Sequence, residues 1–249
     1  MLKKLFVAGA AIASASAWAA YTQARTLWQS WGIDPAEVAK ALPGDELVSE
    51  PQAVDTRVLE IAAPPDKVWP WLLQLGYGRA GWYSYDRLDM EHPSADRIMP
   101  EFQSLAVGDI VPTDPRGGLE VKTLDPGKAL VLYIDRDLAK RQWTTADVAG
   151  TPANLRAGGT ALDRAMAGDF AASWAVVLEP TDSGTRLVER LRLRMEPAPA
   201  RTMPPFVRSM VLFGMFVMIR RQMLGIRDRV EGRPIKHRRF TTAVAPKPA

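Results

Sequence analysis

Few side chains of this sequence can move a proton near neutrality. His92, in Glu91-His92-Pro93, lies in one stretch with Tyr83, Tyr85 and Glu101. An imidazole titrates close to pH 7, and a phenol or carboxyl beside it would complete an acid–base set. A loop histidine bonded only to backbone or water is the plainer alternative. Asp96, Arg97 and Glu101 read as a salt-bridged clasp rather than as catalytic carboxylates. The sequence has no cysteine, which excludes disulfides, thiolate metal sites and a Cys nucleophile. Its only histidines are His92 and His237, so neither a His-rich zinc site nor any other metal or cofactor is expected.

The remaining chemistry is apolar contact. Trp82, Tyr83 and Tyr85 fall on a turn, Gly81-Trp82-Tyr83-Ser84-Tyr85-Asp86. Trp174 falls within a strand pattern, and Met210 and Phe213 fall on a helical one. Flat rings give much contact area at low entropic cost, which suits a ring-bearing or acyl ligand, and methionine fills irregular gaps. The candidate ligand-binding residues are therefore Trp82, Tyr83, Tyr85, His92, Glu101, Trp174, Met210 and Phe213. The alternative is that they plug one end of the fold or belong to an ordinary core. Known motifs fail on context. Gly76-Tyr77-Gly78-Arg79-Ala80-Gly81 matches G-x-G-x-x-G but follows a helical pattern instead of a strand. There is no P-loop, H-E-x-x-H or G-x-S-x-G.

These residues need elements to hold them. Residues 56–61 alternate as a strand, and residues 64–75 follow a helical period through Val68, Trp71, Leu72 and Leu75, with Pro70 expected to kink it or shorten its first turn. Strands are predicted over 109–111, 119–124 and 129–134, the last two joined by Asp125-Pro126-Gly127-Lys128. A second hairpin joins 173–179 to 185–195 through Pro180-Thr181-Asp182-Ser183-Gly184. In it Leu187, Leu191 and Leu193 share one face. Arg186, Arg190, Arg192 and Arg194 share the other, which is expected to face water. Residues 136–169 carry no clear period and are longer than ordinary connections, so they read as a lid or a flexible insertion. A long apolar helix runs from 204 or 205 to about 230, with Arg220, Arg221, Arg227 and Arg229 crowding its second half.

Length and charge bound the rest. The 249 residues fit one domain plus its ends. Residues 184–249 carry 15 Lys and Arg against 4 Asp and Glu, or +11, while residues 1–183 carry 17 against 24, or −7. A basic C-terminal segment can face anionic lipid or be a solvated face and tail. It lacks the interleaved aromatics of a nucleic-acid surface, so no nucleic-acid partner is expected. At the other end, Lys3-Lys4 precedes a charge-free run over residues 5–23. That is the form of a cleaved export signal or an uncleaved membrane anchor. Either places the main domain on the extracytoplasmic side, membrane-associated or secreted. The organisation expected is a signal or anchor over 1–23, a connector over 24–55, a domain over 56–232 and a basic tail over 233–249.

One run carries a family likeness. It comprises Ala63-Pro64-Pro65, Val68-Trp69-Pro70-Trp71-Leu72-Leu73-Gln74-Leu75-Gly76, Arg79-Ala80-Gly81-Trp82-Tyr83-Ser84-Tyr85-Asp86, Ala95-Asp96-Arg97-Ile98, Pro100-Glu101-Phe102-Gln103 and Gly108-Asp109. Trp174 and Arg221-Gln222-Met223-Leu224-Gly225-Ile226 extend it. Over residues 28–232 the sequence resembles the bacterial membrane-linked branch of the START-like, polyketide-cyclase-like superfamily called SRPBCC. The resemblance implies an α+β helix-grip fold, in which a curled antiparallel sheet wraps a long C-terminal helix with a ligand cavity between them. It implies a carrier or sensor for a lipid, isoprenoid or polyketide-like molecule, or a cyclase- or hydrolase-type enzyme on the same cavity. The 136–169 region is longer than the family pattern.

Overall fold

The computed structural model describes residues 30–90, 92–145, 168–196 and 205–235. The element order is β1 Ala53–Ile61, α1 Pro65–Leu73, α2 Asp86–Asp89, β2 Ile110–Asp114, β3 Gly117–Asp125, β4 Ala129–Asp135, α3 Arg136–Thr145, β5 Asp169–Thr181, β6 Gly184–Glu196 and α4 Pro205–Val230. The six strands form one antiparallel sheet in the order β1-β6-β5-β4-β3-β2. It is curled but unclosed, and α4 crosses its concave side. This is the helix-grip fold that the resemblance implied. Both expected hairpins form. In the β3–β4 turn the Lys128 amide bonds to the Asp125 carbonyl at 2.9 Å, with Gly127 at φ 72°. β1 starts at Ala53, three residues before the expected Thr56.

Strand alternation sorts the side chains. Leu59 and Ile61 on β1, Leu187 on β6, Trp174, Val176 and Leu178 on β5, and Leu130 and Leu132 on β4 share the concave face. They meet Val68, Trp71 and Leu72 of α1 and Met223 and Ile226 of α4 in one apolar cluster. The contacts from α4 come from its C-terminal half. Its start exposes Met210, Val211 and Phe213.

The convex face was expected to be wet, and its Arg186, Arg190 and Arg192, the last bonded to the Val48 carbonyl at 3.1 Å, correct that expectation. Residues 33–48, from the stretch expected as connector, lie across it, and Leu42 packs with Val58 and Val188 there. Arg190 is buried beneath this strap. Its guanidinium donates to Thr56 Oγ1 at 2.9 Å, the Lys40 carbonyl at 2.8 Å, the Val38 carbonyl at 2.7 Å and Asp45 Oδ2 at 2.7 Å. Arg186 pairs with Glu37 and Glu179. Alternation put these arginines on the correct face, but a later layer of chain removed the water.

The 136–169 region opens with a helix. Its first ten residues form α3, whose Gln142 amide brackets the Gly118 backbone at 2.6 and 3.2 Å. The remaining residues, 146–167, lie outside the described residues, as do the expected signal or anchor and all but the first residues of the tail. No described helix is long and apolar enough to cross a membrane.

The Arg190 clamp gives a direct expectation. Arg190→Ala takes one of its partners from Asp45 and leaves the Val38 and Lys40 carbonyls without their donor, so stability should fall by about 3 kcal/mol. Hydrogen exchange should rise selectively in residues 37–48. Denaturant unfolding with exchange mass spectrometry checks both, and unchanged protection in that strap would contradict the clamp.

Candidate functional site

The two ends of the grip are built differently. One is closed by the run that carries the family likeness. Gln74, at the end of α1, is fully buried. It donates to Tyr83 Oη at 2.8 Å and to the Arg97 carbonyl at 3.1 Å, and accepts from the Met99 amide at 2.9 Å and from Gln103 at 3.2 Å. Tyr83 Oη donates in turn to the Trp71 carbonyl at 3.2 Å, and the two rings meet edge to face. Burial raises the Tyr83 phenol above its ordinary value of 10.0, so it stays protonated. Arg229 of α4 covers the Tyr83 ring at 4.5 Å and donates to the Ala95 carbonyl at 2.6 Å. Tyr83 itself sits at φ 57°, a left-handed conformation that costs a non-glycine residue roughly 1–2 kcal/mol. It is held there by Ser94, which accepts its amide hydrogen at 3.0 Å and is itself fixed by Asp86 at 2.5 Å. This is a lock in which every named polar group is partnered.

The other end holds a polar row. Asp55 and Arg57 on β1 and Glu189 on β6 all point to the concave face, and the register sets Arg57 directly opposite Glu189. Their exposures are 2%, 1% and 2%. Arg57 Nη2 donates to Asp55 Oδ2 at 3.1 Å, and Trp174 Nε1 donates to Glu189 Oε2 at 3.1 Å. Asp55 Oδ1, Arg57 Nε and Glu189 Oε1 have no hydrogen-bond partner. Buried polar atoms are normally satisfied, and each such atom costs about 1–3 kcal/mol. Burial pushes the Glu189 carboxyl from an ordinary 4.5 up to about 8, against the opposing pulls of the Trp174 N–H and the Arg57 charge. At neutral pH the row is therefore an ion pair beside a neutral acid.

Aromatic groups enclose this row. Trp174 stacks on Trp82 at 5.7 Å with an interplanar angle of 20°. From the helix, Phe216 lies under the Arg57 guanidinium at 5.5 Å and contacts Phe213 at 6.0 Å. Around them the concave face stays half-buried at Ile134, Ala172, Leu191 and Leu193, unlike the tightly buried core toward the locked end. A half-buried apolar trough over a buried polar row can seat an amphiphile, with contact area along the walls and orientation from the polar groups.

The structure splits the eight sequence candidates. It joins Trp82 to Trp174, and Phe213 to the row through Phe216. Tyr83 belongs to the lock. Tyr85 and Met210 are exposed at 42% and 60%, and Phe213, though in contact with Phe216, is exposed at 46%. Glu101 is exposed on a short 3-10 turn, and among the described residues no ion pair joins Arg97 to Asp96 or Glu101, so the clasp does not form. His92 is exposed too, and its Nδ1 lies 3.4 Å from the carbonyl of its own neighbour, Pro93. Tyr83, Tyr85, Glu101 and His92 therefore do not converge as the acid–base reading required. The sequence reading missed Asp55, Arg57 and Glu189. The available signal was Glu189 standing in phase with Leu187 and Leu191, a carboxylate at an inward position of an alternating strand.

No protein-family model and no curated protein matches the chain. Several solved structures are distantly similar to it. One from Mesorhizobium loti is 15% identical, with 74% of this chain and 100% of that chain covered and a TM-score of 0.37. One from Arthrobacter aurescens is 15% identical, with 76% and 93% covered and a TM-score of 0.39. A Corynebacterium glutamicum protein described as Polyketide_cyc-like is 16% identical, with 72% and 87% covered and a TM-score of 0.28. At these values nothing about activity transfers. The helix grip stands on the chain's own strand order and long helix.

Two measurements check this geometry. A Cβ on Gly225 would lie 2.1 Å from the Tyr83 carbonyl oxygen. Gly225→Ala should therefore lower stability by about 2 kcal/mol or more, although alanine in an unobstructed helix would raise it by about 1 kcal/mol. Glu189 supplies a pH signature. Because its folded value lies above its unfolded one, the native state holds an extra proton between pH 4.5 and about 8. Its contribution is complete below pH 4.5 and is lost as pH rises toward 8, with a slope of at most about 1.4 kcal/mol per pH unit. Glu189→Gln should flatten that limb in denaturant titrations run across the window. A variant with the same slope as the parent would contradict the neutral carboxyl.

Proposed function

We propose that the chain binds a hydrophobic small molecule, of lipid, isoprenoid or polyketide-like character, between the concave sheet and the first half of α4. The observation that carries this reading is the buried Asp55–Arg57–Glu189 row with unpartnered atoms, set under aromatic and half-buried apolar walls. An apolar tail would lie along Trp174, Leu191 and Phe216. Its polar end would meet the row. The reading is that of a carrier or sensor, and it is favoured because His92, Tyr83, Tyr85 and Glu101, the residues of the enzyme alternative, do not converge on this place. An uncleaved anchor over residues 1–23 would hold it at the membrane, and an anchor or a cleaved signal alike would place it on the extracytoplasmic side.

Gentle purification from the source organism, native mass spectrometry and organic extraction test this reading. The expected result is one apolar molecule per chain. Trp174→Ala, which removes a wall and the Glu189 partner together, should lower its occupancy at least about tenfold. A bare chain mass that does not shift on challenge with a lipid library would overturn the reading.

A further inference from the structure

The polar row also restricts the head group, given that the trough is a ligand site. Asp55 and Arg57 neutralise each other at 3.1 Å. Glu189 is held neutral by its burial, so the row presents no net charge to a ligand. A charged head brought into this enclosed place would have no counter-ion, and an uncompensated buried charge is strongly disfavoured. The open valences then define a pattern. Arg57 Nε carries an N–H and Asp55 Oδ1 carries lone pairs. Trp174 donates to Glu189 Oε2, which leaves Oε1 to carry the acid proton. Two donors and one acceptor therefore lie on neighbouring inward positions of β1 and β6.

We infer that the site takes an uncharged amphiphile whose head carries a carbonyl oxygen and a hydroxyl. The carbonyl accepts from Arg57 Nε–H and the Glu189 acid, and the hydroxyl donates to Asp55 Oδ1. Fatty carboxylates and quaternary ammonium lipids are excluded on charge, although their tails would fit the same walls. Simple hydrocarbons are selected against because they leave all three atoms unpaired.

The test is calorimetric titration of the delipidated full chain at pH 7. Three amphiphiles of one alkyl length are compared: a hydroxyketone, a carboxylate and a trimethylammonium. The hydroxyketone should bind at least about tenfold more tightly than either charged analogue. Glu189→Gln stays uncharged and keeps a donor, so it should retain the preference, while Glu189→Leu should reduce it to about threefold or less. A carboxylate that binds as tightly as the hydroxyketone overturns the head-group assignment and leaves the binding reading standing. So does a chain that takes none of the three yet leaves its host with a lipid bound. A chain that takes none and is isolated empty overturns both. If Glu189→Leu fails to fold, the preference in the parent and in Glu189→Gln still decides.

Discussion

The Tyr83 loop touches α4 at Gly225 with no room for even a methyl group between them. That approach fixes how deeply the helix sits in the sheet. It requires glycine on the helix and holds a tyrosine in the left-handed region on the loop. Gln74, Ser94 and Arg229 then satisfy the polar groups that the approach buries. The result is one end in which the polar groups of Gln74, Tyr83, Ser94 and Arg229 named here are all partnered. Since α4 is long and pinned by its second half, its first half projects over the opposite end, where no comparable loop meets it among the described residues.

That asymmetry explains why the polar row lies where it does. Asp55, Arg57 and Glu189 are as buried as the core but lack the complete partnering of the lock. A protein folding for stability alone would gain by placing apolar residues there. The row is instead walled by Trp174 and Phe216, two groups that offer apolar area and orient polar ones. The convex face meets the same problem of buried charge in the opposite way. Arg190 spends its donors on the overlying strap, so burial there adds rigidity and leaves that guanidinium satisfied.

The architecture was largely legible in the sequence, because strand alternation and turn chemistry act locally. The Asp125–Lys128 turn, the hairpin around Gly184 and the long terminal helix follow from such local patterns. The run from Trp69 to Asp86 was legible as a family mark, yet its tyrosine serves closure, which no local pattern shows. Exposed Arg190 was the natural expectation from alternation. Its burial depends on residues 33–48 folding back across the sheet, a long-range event. Asp55 and Arg57 were missed for a related reason. A charge in an edge-like strand reads as solvated until the register places it opposite Glu189 on the concave side. His92 drew attention by its residue type alone, and type without convergence carries no chemistry.

The central claim is that the interior between sheet and helix is a ligand site oriented by this row. A crystal structure of the chain with its extracted ligand tests it most directly. The account predicts an apolar tail between Trp174 and Phe216, and a polar head within hydrogen-bond distance of Glu189 Oε1 or Arg57 Nε. A ligand seated on the exposed helix start with the row untouched would contradict it. So would an interior closed by the protein's own side chains with the three atoms satisfied internally.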